Sequence, residues 1–307
     1  MTRGWQEELA AWWPTESQWN VSMADYSSLR AGGTATAFIQ VEQPEHLVAL
    51  IPWLEERRVS WRVIGRGSNI LVRQQGFAGV LLRLGPAFGR IALKITDEGP
   101  AMLQVGAACA LGRLVGWTVR RGLAGLEFAI GIPGSVGGAV RMNAGAWGGA
   151  MGDCLAGVSL LDRQGELHEV PRAELTPGYR CLQGPGIDDG AGIIVGACFA
   201  LGQERVELLQ QRCREYRQRR RLHQPRGVAS AGSFFKNPVG DSAGRLIEAA
   251  GLKGLRRGDA MISQRHANFL VNAGEASAAD IVALMGVVQE RVQDAFGVRL
   301  EPEVHLL

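Results

Sequence analysis

Residues 131–149 read Gly131-Ile-Pro-Gly-Ser-Val-Gly-Gly-Ala-Val-Arg-Met-Asn-Ala-Gly-Ala-Trp-Gly-Gly149. Seven of these nineteen residues are glycine, and no acidic residue interrupts them. So much glycine gives up helix and strand propensity together, so the segment must serve another purpose. The physical use of such a run is close approach of backbone to a ligand, with bare N–H groups turned toward an anion. Ser135 and Asn143 add short polar side chains, and Arg141 adds a cation. A flexible linker is the alternative, but Gly/Ser linkers lack residues such as Ile132, Val136, Val140, Met142 and Trp147. The stretch reads as a loop that cradles a phosphate or cofactor.

A second glycine loop, Gly65-Arg-Gly-Ser-Asn-Ile-Leu-Val72, follows a short apolar strand, Trp61 to Ile64. No helix opens after it, so it is not a Rossmann turn, and it lacks the Lys-Ser/Thr of a P-loop. Ser68 and Asn69 can donate to phosphate oxygens. Taken alone, the loop is equally well an ordinary hairpin turn.

Around these loops the chain is mixed α+β. Helices are expected at Pro44 to Arg57, kinked at Pro52, and at Leu111 to Arg121. Strands are expected at Val80 to Leu84, Met102 to Val105, Val158 to Asp162, Gly165 to Val170 and Ile193 to Ala200. The first 27 residues read as a helical, tryptophan-bearing lead-in. Val206 to Leu222 reads as a helix carrying Arg212, Arg214, Arg217, Arg219, Arg220 and Arg221, ended by Pro225. Such a run is usually a solvated face. Beyond it come a polar loop (230–238), a helix from Ser242 to Ala250, a strand (267–272), an amphipathic helix from Ser277 to Phe296 and a terminal strand (298–307). The expected domains are 1–75, 76–205 and 206–307.

The 307 residues carry a formal charge of only +3, too little to hold nucleic acid by charge alone. No apolar stretch is long enough to span a bilayer, and no signal peptide opens the chain, so a cytoplasmic protein without membrane association is expected. The five cysteines are scattered, form no Cys-x-x-Cys pair and stand beside no histidine at metal-ligand spacing, so reduced core thiols and no metal site are expected.

Taken in order, Gly65-Arg-Gly-Ser-Asn69, Gly131-Ile-Pro-Gly-Ser-Val-Gly-Gly138 with Met142-Asn-Ala-Gly145, Gly178-Tyr-Arg180, Gly232-Ser-Phe-Phe-Lys-Asn-Pro238 and Leu300-Glu-Pro-Glu-Val304 make the chain resemble the UDP-N-acetylenolpyruvoylglucosamine reductase family. The resemblance runs from about Ser28 to the end. It implies the FAD-binding fold shared with vanillyl-alcohol oxidase, two α+β subdomains plus a C-terminal α+β substrate domain. It also implies FAD as cofactor, NADPH as hydride donor and UDP-N-acetylglucosamine enolpyruvate as substrate, giving UDP-N-acetylmuramate for peptidoglycan. On this resemblance Gly65, Arg66, Gly67, Ser68 and Asn69, with Ile132, Pro133, Gly134, Ser135, Gly137, Gly138, Asn143, Ala144 and Gly145, hold FAD. No histidine or cysteine lies between Val59 and Leu84, so the attachment is expected to be non-covalent.

Hydride addition to an enolpyruvyl double bond builds negative charge on the conjugated carboxylate, so the chemistry needs a cation, a hydrogen-bonding acid and a proton donor. The resemblance assigns these to Arg180, Glu303 and Ser233. Glu301, two places earlier on the strand, competes with Glu303. Ser233 is a weak acid and would need a neighbour such as Lys236 or water. Tyr179, Lys236 and Asn237 match residues that touch the UDP-sugar. Arg217 and Arg221, one helical turn apart, suit its diphosphate. The segment after Arg180 is Cys-Leu-Gln-Gly-Pro-Gly186 rather than the usual polar run, with no room for a tyrosine-bearing lid, so the chain resembles the shorter subtype. Two other readings stay open: a flavin oxidase of small alcohols or hydroxy acids, and a non-catalytic nucleotide sensor. A monomer is the default.

Overall fold

The computed structural model describes residues 4–14, 17–94, 99–188, 190 and 192–307. It divides into two compact units. The first gathers Met1–Gln18, Ile39–Gly65 and Leu81–Arg219, and the second Trp19–Phe38, Arg66–Val80 and Arg220–Leu307.

In the first unit an antiparallel sheet is ordered Leu167–Pro171, Leu155–Leu161, Ile193–Gln203, Ala101–Gly106, Ile91–Lys94. Ile193–Gln203 is its central strand, and its apolar run buries Ile193, Ile194, Ala197, Phe199 and Leu201. Continuous apolarity of this kind suits a strand covered on both faces. Helix Leu111–Val119 repeats apolar residues at helical spacing and buries Leu111, Leu114, Val115 and Val119 in the same core. Each such side chain contributes about 1.5–3 kcal/mol on burial.

Helix Pro44–Glu56 buries Leu47, Leu50, Ile51 and Leu54 as the periodicity predicts, and it continues through Pro52. Proline removes the N–H that would bond the carbonyl of Val48, and that oxygen instead faces Gly165, where a Cβ would stand 2.6 Å from it.

The second unit packs helix Ala278–Phe296 on a small antiparallel sheet ordered Ala229–Ser230, Leu270–Asn272, Ala260–Ile262, Arg256–Arg257. Ile281, Leu284, Met285, Val288 and Val292 form the buried stripe. Ser277 and Asp280 form a capping box at its start, and Gly297 closes its end in the left-handed conformation.

Four expectations change. The lead-in is helical only over Trp5–Trp12; Ser17–Ser22 is a strand and Met23–Tyr26 a short 3-10 turn, while residues 1–3, 15 and 16 of that segment lie outside the described residues. Part of the glycine run coils into the helix Val136–Arg141. The strand at 267–272 begins only at Leu270, because Asn268 turns its side chain to another segment. The terminal strand shrinks to His305–Leu306, pairing parallel with Ile70–Leu71. Among the described residues no helix is long and apolar enough to cross a membrane.

Candidate active site

In the first unit the glycine run is pinned along one edge. Leu111 donates to the carbonyl of Gly134, Val136 to that of Cys109 and Gly137 to that of Ala107. Among the described residues, the N–H groups of Gly134, Ser135 and Gly138 meet no protein acceptor. Ser135 is nevertheless 6% exposed. Backbone donors left bare beside a buried residue are costly unless a ligand accepts from them. Gly65 closes on this run: a Cβ on it would stand 2.6 Å from Ser135 Oγ. Donors without acceptors, in a cradle that a methyl group would fill, fit the diphosphate of FAD.

Asn143 is buried with φ +39°. Its Nδ2 donates to the carbonyl of Gly178 at 2.8 Å, and its Oδ1 accepts from the N–H of Gly152 at 2.8 Å. The side chain read from sequence as a polar hook therefore ties the glycine run to the hairpin Thr176–Gly178/Cys181–Gln183. The tip of that hairpin is Tyr179-Arg180. Arg180 has φ +57°, a conformation rare for a residue with a Cβ and concentrated at functional sites. It is half-buried, its Nη1 donates to the carbonyl of Gly145 at 3.4 Å, and its guanidinium lies 5.1 Å from the Tyr179 ring centre.

Trp147 of the glycine run stacks on Tyr216 with ring centres 5.8 Å apart. Arg217 and Arg221 are both exposed and four residues apart on helix Val206–His223. Arg217 lines an open groove of about 340 Å³ with Val115, Val119, Ile130, Cys213 and Arg214. The half-buried arginine of this stretch is Arg220, whose pKa burial lowers, and the sequence offered no sign of that. Burial also raises the thiols of Cys109, Cys198 and Cys213, and pushes Cys154 up to about 12, so these four stay neutral fillers.

In the second unit, Gly67 has φ +67°, and a Cβ there would lie 1.7 Å from the Tyr26 carbonyl oxygen. Ser28 donates its N–H to the carbonyl of Gly67. Asn69 donates from Nδ2 to the carbonyl of Glu303 at 3.0 Å, and its own carbonyl accepts from the N–H of His305.

The Ser233 segment runs antiparallel to the last residues. Glu303 donates to the carbonyl of Phe234 at 2.8 Å, Lys236 donates to the carbonyl of Glu301 at 2.8 Å, and Phe235 bridges Pro302. This brings Ser233 and Glu303 to one place although 70 residues separate them. Lys236 Nζ lies 3.3 Å from the Glu301 carboxylate, whose side chain is 73% exposed. Glu303 is half-buried. Asn237 accepts the N–H of Ala243 at the start of helix Ala243–Ala249.

Sequence reading missed Asn268. It is 3% exposed, accepts the N–H of Phe235 at 2.9 Å and donates to the carbonyl of Phe235 at 2.8 Å. Its own carbonyl accepts from Phe234, and its N–H donates to His266 Nδ1. That imidazole has its pKa lowered, first by burial and then by the nearby Lys253 and His223, so it stays an acceptor. Asn268→Leu keeps the branched side-chain skeleton and orphans two buried backbone groups. A loss of about 2–4 kcal/mol is expected, read as a lower urea midpoint at unchanged slope. The only hint in the sequence was a polar residue inside an apolar run.

One grouping of metal-ligating type lay outside the sequence reading. Asp162, Glu166 and His168 approach within 4.8 Å at an exposed hairpin tip. Asp162 already accepts from the N–H groups of Gln164 and Glu166 and from His168, as turn carboxylates do.

The fold and the glycine cradles define a FAD-dependent oxidoreductase, and the family model for the FAD binding domain matches residues 35–171. The model for the UDP-N-acetylenolpyruvoylglucosamine reductase C-terminal domain matches residues 224–307. The chain belongs to the UDP-N-acetylenolpyruvoylglucosamine reductase family. The curated protein of that name from Desulfosudis oleivorans is 40% identical over 311 residues, covering 100% of this chain and 99% of its own length. The one from Alkalilimnicola ehrlichii is 42% identical, over 98% of this chain and 95% of its own. The crystal structure of the Thermus caldophilus reductase superposes with a TM-score of 0.78 at 40% identity, over 93% of this chain and 97% of that one.

Proposed function

We propose that this chain reduces UDP-N-acetylglucosamine enolpyruvate to UDP-N-acetylmuramate with NADPH, a step of peptidoglycan precursor synthesis, and that Arg180, Glu303 and Ser233 carry the chemistry. The observation behind the roles of Ser233 and Glu303 is the backbone pairing that joins their segments. Held by the glycine loops, FAD would supply hydride transfer between NADPH and the enolpyruvyl double bond.

Arg180 holds the substrate carboxylate through its planar fork, and its positive charge stabilises the enolate that develops there. Glu303 adds a hydrogen bond to that oxygen, which requires its carboxyl to carry a proton. Ser233 then protonates the carbon that received no hydride. Glu301 is the weaker candidate because it faces solvent and is engaged by Lys236. Gly65 to Asn69 and Ile132 to Gly145 would hold FAD, mainly through backbone N–H groups, since Asn69 and Asn143 direct their side-chain amides to protein carbonyls. Tyr179, Lys236 and Asn237 are proposed contacts of the UDP-sugar, and Arg217 and Arg221 of its diphosphate.

The division into 1–75, 76–205 and 206–307 is proposed on the same footing, as are a monomeric state, a cytoplasmic address and site closure without a tyrosine lid. The test is anaerobic. NADPH should bleach the yellow protein, and UDP-N-acetylglucosamine enolpyruvate should restore the colour. Arg180→Ala should leave bleaching intact and slow colour return about 10²–10³-fold. A protein that bleaches but regains colour with no enolpyruvyl sugar nucleotide would return the oxidase reading. A colourless protein would return the sensor.

A further inference from the structure

We infer that Asn69 is a positioning residue for Glu303, so that the loop assigned to the cofactor diphosphate also sets the place of the catalytic carboxyl. The inference rests on the proposed role of Glu303. The peptide groups flanking Glu303 are held from two sides. Its N–H donates to the carbonyl of Phe234, the residue after Ser233, at 2.8 Å. Its carbonyl accepts from Asn69 Nδ2 at 3.0 Å. Between them the Glu303 side chain has its backbone fixed relative to both the proton donor and the glycine loop.

The main chain reinforces this clamp. His305 donates to the carbonyl of Asn69 at 3.0 Å, and the parallel pairing of Ile70–Leu71 with His305–Leu306 continues beyond it. Val304, inside the clamp, is 3% exposed and packs in the core of the unit. These ladder bonds are backbone to backbone, so they survive removal of the Asn69 side chain. What is lost is the Asn69 donor to the Glu303 carbonyl, and with it a restraint on the peptide that carries the carboxyl. Sequence alone suggests a different use for Asn69, donation to a phosphate oxygen. A side-chain amide already turned to a protein carbonyl is better suited to fixing geometry than to holding cofactor.

The two uses separate in single-turnover measurements on the intact holoenzyme. Asn69→Ala removes only the side-chain amide and leaves the backbone N–H groups proposed to hold FAD in place, so it is expected to keep its flavin and to bleach with NADPH within about threefold of the wild-type rate. Colour return on adding UDP-N-acetylglucosamine enolpyruvate should slow by about 10–100-fold, the cost of misplacing a reacting group by a fraction of its reach. In a Glu303→Ala background the same change should cost less than about threefold more, because the group it positions is already gone. A flavin-free Asn69→Ala protein would make Asn69 a cofactor ligand and overturn the inference. So would unaltered colour return, or a full multiplicative effect on top of Glu303→Ala. If Glu303→Ala alone regains colour at the normal rate, the role of Glu303 fails and the inference fails with it. That outcome is distinct from failure of the inference alone.

Discussion

Ser233→Ala is expected to slow colour return by about 10²–10⁴-fold, the usual contribution of a positioned general acid, while bleaching by NADPH proceeds normally. The split follows from where the serine acts. A proton is needed only by the substrate carbon, so the exchange with NADPH does not call on it. The fold should tolerate the change. Ser233 is half-buried, and the backbone after it is fixed by bonds from Phe234 and Phe235 to Asn268, which a smaller side chain leaves untouched. Stability should therefore shift by no more than about 0.5 kcal/mol, as for a surface substitution. The cation nearest in sequence, Lys236, is held by Glu301 at 3.3 Å, so rescue of the serine's acidity falls to water or substrate. Normal turnover in Ser233→Ala would remove it as the proton donor.

Gly67→Val should yield protein with at least about tenfold less bound flavin, checked by visible absorbance of the purified chain and by its far-UV spectrum. A side chain at this site faces two penalties. The φ of +67° is one that β-branched residues avoid, and the first carbon of the side chain would fall 1.7 Å from the Tyr26 carbonyl oxygen. Something must move, and the N–H groups of the loop would move with it. The carbonyl of Gly67 also receives the N–H of Ser28, so the displacement would reach the neighbouring turn. A yellow Gly67→Val protein with full flavin would refute the cradle.

The sequence alone made the long helices legible, along with the chemistry to look for. Helices Pro44–Glu56, Leu111–Val119, Val206–His223 and Ala278–Phe296 follow from apolar spacing, capping residues and breakers, all of which act within a turn or two of chain. The glycine loops were legible because their composition excludes ordinary elements, and five ordered motifs carried the family.

Tertiary structure decided which polar groups point where. Asn69 and Asn143 look like phosphate hooks in the sequence, yet each donates to a carbonyl far along the chain, 234 and 35 residues away. Glu301 and Glu303 are indistinguishable by spacing. Folding places one on the surface beside Lys236 and fastens the other to Asn69 and Phe234. Asn268 owes its part to Phe235, 33 residues away. Hydrogen bonds across such separations have no periodicity to read. They exist only once burial has stripped water from both partners and left each with the other as its way to be satisfied.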